Sequence, residues 1–392
     1  MKLIRLLRAH LRAPLGVAVA ACVFGAAWTA QAAEAPIKVG AIFAVTGGAS
    51  NLGAPEKKTA EMLVAKLNAA GGLLGRPVVL IVKDSEGSTE KAASFARQLI
   101  DEEHVLAILG PSTSGETMAI KNLCEEAKTL LISCAAAEAI VEPVAPHVFK
   151  VPQKDSYAAR WIYQAMKDRG IKRIGVVVSN DGFGKGGKEQ LAKYAPQFGI
   201  EIAISEVYDK SATDLTGLLT KVQGQDVQAV VNWSVVPAQA LVAKNMRQLG
   251  FNVPLFQSHG FGNIQYVKAG GEAANGTIFP AGRLLVADLL PEDNPQKKLL
   301  LEYKRDYEGR YHEDVSTFGG HGYDALLVLT EAIKKAGSAD PEKVREAIEG
   351  LHDLVGTAGI FNFSKQDHNG LDMTSFEMLT VKDGKFAMYK KN

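Results

Sequence analysis

Cysteine is nearly absent from this chain: Cys22, Cys124 and Cys134 are the only three in 392 residues. A fold stapled by several disulfides needs more, and Cys124 and Cys134 have no Cys or His nearby at ligand spacing to complete a zinc site. These two could pair in an oxidising compartment if their Cα atoms came within bridging distance. The preferred reading is two small apolar side chains buried in a core. A basic excess is missing too, with 44 basic against 43 acidic residues. Four of the basic residues and none of the acidic ones fall in the first 32 positions, which leaves a net charge of −3 for the remainder. No positive field is left to hold nucleic acid, and none is expected as a partner. Low-complexity tracts and fixed-period repeats are also lacking, which excludes a disordered chain or a solenoid.

Long hydrophobic runs are scarce as well. The apolar stretch Pro14 to Trp28 follows Lys2, Arg5, Arg8 and Arg12 and is too short for a comfortable membrane span. With Ala30-Gln31-Ala32 behind it, residues 1–32 read as a secretory signal peptide cleaved after Ala32. Val19-Ala20-Ala21-Cys22 offers an alternative, lipidation at Cys22, but Val23 to Trp28 stays apolar where a lipoprotein usually carries a polar tether. A periplasmic location is therefore expected.

What is present is a globular composition, 47% hydrophobic and 22% charged, over a length that suggests two domains. Short β-branched runs alternate with amphipathic stretches: IKVGAIFAV, APEKKTAEMLVAKLNAA, PVVLIVKD, KAASFARQLIDEE, VLAILG, ETMAIKNLCEEA, TLLISCA. That βαβ rhythm predicts a parallel sheet covered by helices on both faces. A second series starts near Asp155, and after Gly282 the pattern turns mostly helical before closing on strands around GIFNFSKQ and SFEMLTVKDGKFAMY. Since neither late stretch makes a core alone, the chain is expected to cross between two units more than once.

Open parallel sheets bind ligands at the carboxyl ends of their strands, and three loops sit there. Gly110 to Thr117, GPSTSGET, follows the phosphate-loop spacing except that Glu116 replaces the lysine. A carboxylate there would repel phosphate, and no acidic strand end is evident to hold Mg²⁺. The same letters fit a capping box, with Thr113 as cap and Glu116 folding back. The helix start then keeps free N–H groups for another anion. The second loop, Gly182-Phe183-Gly184-Lys185-Gly186-Gly187, matches a dinucleotide fingerprint, with Glu201 and Asp209 about where a ribose-binding acid belongs. Phe183 argues against close approach of a pyrophosphate, so no nucleotide cofactor and no metal is expected. The third is Gln257-Ser258-His259-Gly260-Phe261-Gly262-Asn263. As a catalytic base His259 has no recognisable nucleophile, since neither Ser114 nor Cys134 lies in a known signature. The chain is not expected to be an enzyme.

The segments IKVGAIFAVTGGASNLG, LNAAGGLLGRPVVLIVKD, ILGPSTSGE, TLLISCAA, SNDGFGKG and HGYDAL occur in order, and together they resemble the periplasmic leucine/isoleucine/valine-binding protein family. The resemblance runs over nearly all of residues 33–392. It implies an α/β chain of two doubly wound, Rossmann-like lobes joined by a three-strand hinge, the type I periplasmic binding protein fold. The expected division is 33–153 plus 283–362 for the first lobe and 154–282 plus 363–392 for the second. It also implies a monomer that traps a small-molecule ligand by closing, then docks on the membrane permease of an ABC transporter. A sensor that presents solute to a membrane receptor is the alternative. With no signalling segment before Lys391-Asn392, transport is the expectation.

By the same resemblance, Ser114, its neighbouring N–H groups and Ala137 hold a ligand carboxylate. The Ala135 carbonyl and the residue at His259 hold an ammonium, while Leu52, Phe183, Val235 and Phe318 surround the side chain, with Trp233 next to them on the same strand end. Ala137 and His259 depart from the family pattern, which commonly has a hydroxyl residue and an acid there. A charge-assisted hydrogen bond contributes about 1.5 to 3 kcal/mol, and an ammonium buried without an anionic partner costs several more. The expected ligand is therefore a hydrophobic or aromatic carboxylate without a free α-ammonium, or with one held differently. Leucine, isoleucine, valine or another hydrophobic amino acid with a rearranged clamp is the alternative.

Overall fold

A computed structural model describes residues 35–390. The expected signal peptide and the choice between Ala32 and Cys22 lie outside the described residues.

Two sheets organise the chain. The first is all parallel, with strands β1 (Ile37–Phe43), β2 (Val78–Asp84), β3 (Ala107–Leu109), β4 (Leu130–Ser133) and β5 (Val148–Lys150) in the order β2-β1-β3-β4-β5. The second contains β6 (Arg173–Ser179), β7 (Glu201–Tyr208), β8 (Ala229–Trp233), β9 (Leu255–Gln257) and β10 (Ile278–Ala281), also parallel. The small hairpin β11 (Leu354–Val355) and β12 (Ile360–Phe361) stands apart, and β13 (Glu377–Lys382) and β14 (Lys385–Met388) add antiparallel to β10. The second sheet thus runs β14-β13-β10-β9-β8-β6-β7.

Each sheet reverses direction once. After β1 the chain pairs β2 on one side and then β3 on the other; after β6 it pairs β7 on one side and β8 on the other. At such a switch point the two outgoing loops diverge and leave a crevice beyond the strand ends. The loops after β1 and β3 begin at Ala44 and Gly110, and those after β6 and β8 begin at Asn180 and Ser234. GPSTSGET and the glycine-rich Gly182 loop each leave such a strand end, and they meet where Gly182 approaches Gly115.

The helices are α1 (Ser50–Ala69), α2 (Thr89–Arg97), α3 (Ser114–Glu126), α4 (Asp155–Asp168), α5 (Gly182–Tyr194), α6 (Thr216–Gln223), α7 (Gln239–Gln248), α8 (Ile264–Gly270), α9 (Lys297–Tyr311), α10 (Thr317–Ala336) and α11 (Pro341–Glu349). Six of them start on a residue whose side chain accepts an orphan N–H. Ser88, Thr113, Asp181, Asn263, Ser316 and Asp340 cap α2, α3, α5, α8, α10 and α11 in this way.

The chain passes between the sheets three times, after β5, after β10 and between Phe363 and Phe376. Among the described residues, no strand spans these crossings; a backbone bond from the Lys150 amide to the His368 carbonyl at 3.1 Å and several side chains tie them together. Gln153 Nε2 donates to the Ala358 carbonyl at 2.8 Å, and Asn369 Nδ2 donates to the Pro152 carbonyl at 2.8 Å. Buried Asp324 on α10 accepts from the Thr357 and Ala358 amides at 2.6 and 2.8 Å. The late helices α10 and α11 complete the first core, where Val328, Leu329 and Ile333 pack with strand residues such as Val39 and Ile132. Phe363 and Leu371 belong to that core too, beyond the expected change at 362, because Phe363 stacks on Phe361 and meets Phe149 edge-on. Cys124 and Cys134 are both buried and unbonded, and burial pushes the Cys124 thiol up to about 12.

Candidate functional site

The first wall of the cleft begins where β3 ends. Gly110 takes φ +84, and a Cβ there would meet the Ile42 carbonyl oxygen at 2.3 Å, so a side chain has neither the conformation nor the room. Thr113 then caps α3 in a full capping box: its hydroxyl accepts from the Glu116 amide while the Glu116 carboxylate accepts from the Thr113 amide at 3.2 Å. Glu116 is wholly buried, and burial raises its pKa against the hydrogen bonds from Ser85 and Thr113. This glutamate serves its own helix. Ser114, beside it, is buried on the cleft side, and its Oγ accepts from the Ala137 amide at 3.3 Å.

The opposite wall begins where β6 ends. Asp181 caps α5 by accepting from the Gly184 amide at 2.8 Å. The glycines of this loop each answer a close approach. A Cβ on Gly184 would stand 1.9 Å from the Ser179 carbonyl oxygen, and one on Gly187 would stand 2.2 Å from Trp233 Nε1. They serve helix-to-strand packing, and the dinucleotide reading loses its physical ground. Phe183, between them, points into the cleft.

Leu52, Ser114, Ala135, Phe183, Val235, His259 and Phe318 line one space in the cleft. Two of the expected residues stand elsewhere. Trp233 is fully buried behind the lining, its ring 5.7 Å from Phe183 and 5.6 Å from His259. It supports those rings rather than touching the space. Ala137 is one layer back as well, its amide spent on Ser114.

Three side chains that sequence reasoning missed change the chemistry of the site. His321 lines the same space, one helical turn beyond Phe318 on α10. The i, i+3 spacing from Phe318 to the first residue of HGYDAL was the available signal, because it puts both on one face. Asp155, the first residue of α4, and Lys150, the last of β5, are fully buried behind the lining. Nothing local marks them, since a strand end and a helix start converge here only through the crossing between sheets.

The electrostatics follow from burial. His259 and His321 are 4% and 3% exposed, and among the described residues none forms a hydrogen bond with any of their four ring nitrogens. Burial, then the nearby Lys150 charge, lowers the His259 pKa well below its usual value and that of His321 to about 3, although the Cys134 backbone slightly favours the charged form of the latter. Both imidazoles are neutral. Lys150 Nζ donates to the carbonyls of Ala136, Pro152 and Gln153 at 2.7, 3.0 and 3.2 Å. Asp155 Oδ1 lies 3.5 Å from His259 Nε2, and neither of its oxygens has a hydrogen-bond partner among the described residues. Among the described residues, no carboxylate and no cation lines this space itself, while Glu86, Asp181 and Lys210 line the adjoining part of the cleft beyond Ser114 and Phe183. No cluster of metal-ligating side chains occurs among the described residues.

Two doubly wound sheets whose switch points face each other across a lined cleft define the type I periplasmic binding fold. The chain belongs to the periplasmic binding protein family, whose model matches residues 36–385. Among curated relatives it is similar to a leucine-, isoleucine-, valine-, threonine- and alanine-binding protein of Pseudomonas aeruginosa, 25% identical over 346 residues that cover 87% of this chain and 89% of the relative. Among solved structures it is similar to an extracellular ligand-binding receptor from Rhodopseudomonas palustris, at 29% identity and a TM-score of 0.86, covering 91% of this chain and all of that one. It is also similar to the branched-chain amino acid transporter substrate-binding protein LivJ of Streptococcus pneumoniae in complex with isoleucine, at 25% identity and a TM-score of 0.79, covering 90% and 97% of the two chains.

Proposed function

We propose that the protein is the periplasmic solute-binding component of an ABC importer and takes a hydrophobic or aromatic carboxylate without a free α-ammonium. It acts as a monomer that delivers the ligand to a membrane permease. The observation that carries this reading is the lining: a helix N-terminus with Ser114 and two neutral, unpartnered imidazoles beside apolar Leu52, Phe183, Val235 and Phe318, with no acid among them. Helix N–H groups and imidazole N–H groups are donors for a carboxylate, and the apolar wall suits a ring or branched chain. A buried ammonium would face no anion on that lining. Closure of the two lobes over the ligand then shifts an open-to-closed equilibrium, as in other hinge-closing binders.

A second reading, leucine or another hydrophobic amino acid, draws on the names of the relatives and on Asp155. If His259 swung aside, this carboxyl would be the nearest partner for an ammonium. Isothermal titration of the purified protein with leucine, valine, benzoate and phenylacetate separates the two. Binding of the simple acids with little response to leucine is expected. Tight leucine binding with no response to the acids would reverse the assignment.

A further inference from the structure

His259 is held on all sides, yet not by hydrogen bonds. Phe183, Trp233 and Phe376 stand around its ring with centroids 5.2, 5.6 and 5.5 Å away, so the imidazole cannot turn freely. Its Nε2 lies 3.5 Å from Asp155 Oδ1, and neither atom has another hydrogen-bond partner among the described residues. Since His259 lines the cleft and Asp155 does not, Nδ1 is the nitrogen left for a ligand.

We infer that Asp155 is a positioning residue for His259: the carboxyl and the imidazole share one proton along the Oδ1–Nε2 line, so that Nδ1 carries an N–H for a ligand carboxylate. The inference rests on the reading that the ligand presents a carboxylate to His259.

The surroundings support a shared proton. With the proton on Asp155, the acid donates to Nε2, the imidazole is the neutral Nδ1–H tautomer, and the cleft meets a donor. Only loss of that proton leaves the pair as a carboxylate accepting from Nε2–H, with a bare Nδ1 that repels an anion. Asp155 is fully buried, and burial raises its pKa to about 8 against the pull of Lys150. Lys150 meets three carbonyls, one for each N–H of an ammonium, but burial lowers its own pKa to about 8, so Lys150 and Asp155 titrate over the same range and the alkaline change belongs to the pair until Asp155→Asn separates them. The other ionisable groups around the pair are accounted for. Glu138 accepts from Ser156 at 2.6 Å, Lys154 pairs with Glu142 at 2.7 Å and with Asp367 at 3.5 Å, and His321 is neutral. On the side of α5 the neighbour of Asp155 is Gly186, where a Cβ would come within 3.1 Å of Oδ2.

The sign follows from the pair's titration. The donor is present below about pH 8 and is lost as the pH rises through that value, so carboxylate affinity should fall on the alkaline side. Asp155→Asn imitates the protonated acid, because its amide N–H donates to Nε2 at every pH.

The test has two arms. In the first, benzoate and phenylacetate are titrated into the wild type and Asp155→Asn at about pH 6.5 and about pH 9, with about a tenfold loss expected in the wild type alone. In the second, ligand-free protein labelled with ¹⁵N-histidine is read by long-range ¹H–¹⁵N correlation. His259 should be the Nδ1–H form at the lower pH and convert to Nε2–H at the higher pH in the wild type, with no conversion in Asp155→Asn. A wild-type Nε2–H form at the lower pH would overturn the inference. So would an alkaline loss of affinity that persists in Asp155→Asn, which would trace it to Lys150. Should neither acid bind, the carboxylate reading fails by itself, and the tautomer arm still decides whether Asp155 positions the imidazole.

Discussion

Gly182 faces Gly115 across the cleft so closely that a Cβ on Gly182 would stand 2.9 Å from the Gly115 amide nitrogen. One glycine opens α5 on the second sheet and the other lies in the first turn of α3 on the first. The approach is backbone to backbone, and no flexible side chain can yield there. Gly182→Ala should therefore hold the lobes apart while leaving each core intact. Ligand affinity is expected to fall by about tenfold, with thermal stability changed by less than about 1 kcal/mol. Calorimetry and small-angle scattering with and without ligand would check this, and affinity equal to wild type would show that closure is not tight at this point.

Ser114→Ala removes the hydroxyl that stands between the Ala137 amide and the cleft. A buried amide loses its acceptor and a carboxylate loses a donor, so binding should weaken by at least about tenfold. Affinity within about twofold of wild type would take this loop out of the site.

His259→Glu reverses the polarity of the lining. A carboxylate among Phe183, Trp233 and Phe376 repels a simple acid and offers an ammonium its missing partner. Benzoate-type affinity should drop by about tenfold or more, and leucine binding should appear or strengthen. Stronger binding of the simple acid by this variant would contradict a donor role for the imidazole.

Much of this architecture was legible in the sequence because local chemistry agrees with the global fold. Thr113 with Glu116 is a cap before it is anything else, and the βαβ rhythm of residues 37–133 leaves one sensible sheet. Leu52, Phe183, Val235 and Phe318, named through resemblance, line one space in the cleft. What escaped was whatever depends on the crossings. Lys150 ends a strand of the first sheet and Asp155 starts a helix of the second, five residues apart in a stretch that reads as an ordinary loop. Their convergence behind His259 is set by how three separate segments pass one another. Trp233 was misplaced by one layer because a strand end indicates a neighbourhood, not which side of it a large ring fills. That ring sits over Gly187, and the glycine is the clue that a clash rather than a motif explains.

The late arrival of α10 has a consequence for how the chain is made. Strands β1 to β5 are complete by Lys150, yet the helix that covers them spans Thr317–Ala336, and the last residues of their core, Phe363 and Leu371, come later still. During synthesis from the N-terminus, the first sheet therefore waits with one apolar face covered only in part, by α1, until nearly the whole polypeptide has emerged. The second sheet waits for β13 and β14 at the far end. Neither half can finish alone, so the chain should stay open to handling by other proteins for most of its synthesis and then gain stability late. A polypeptide ending at residue 296 should accordingly fail to show a cooperative unfolding transition.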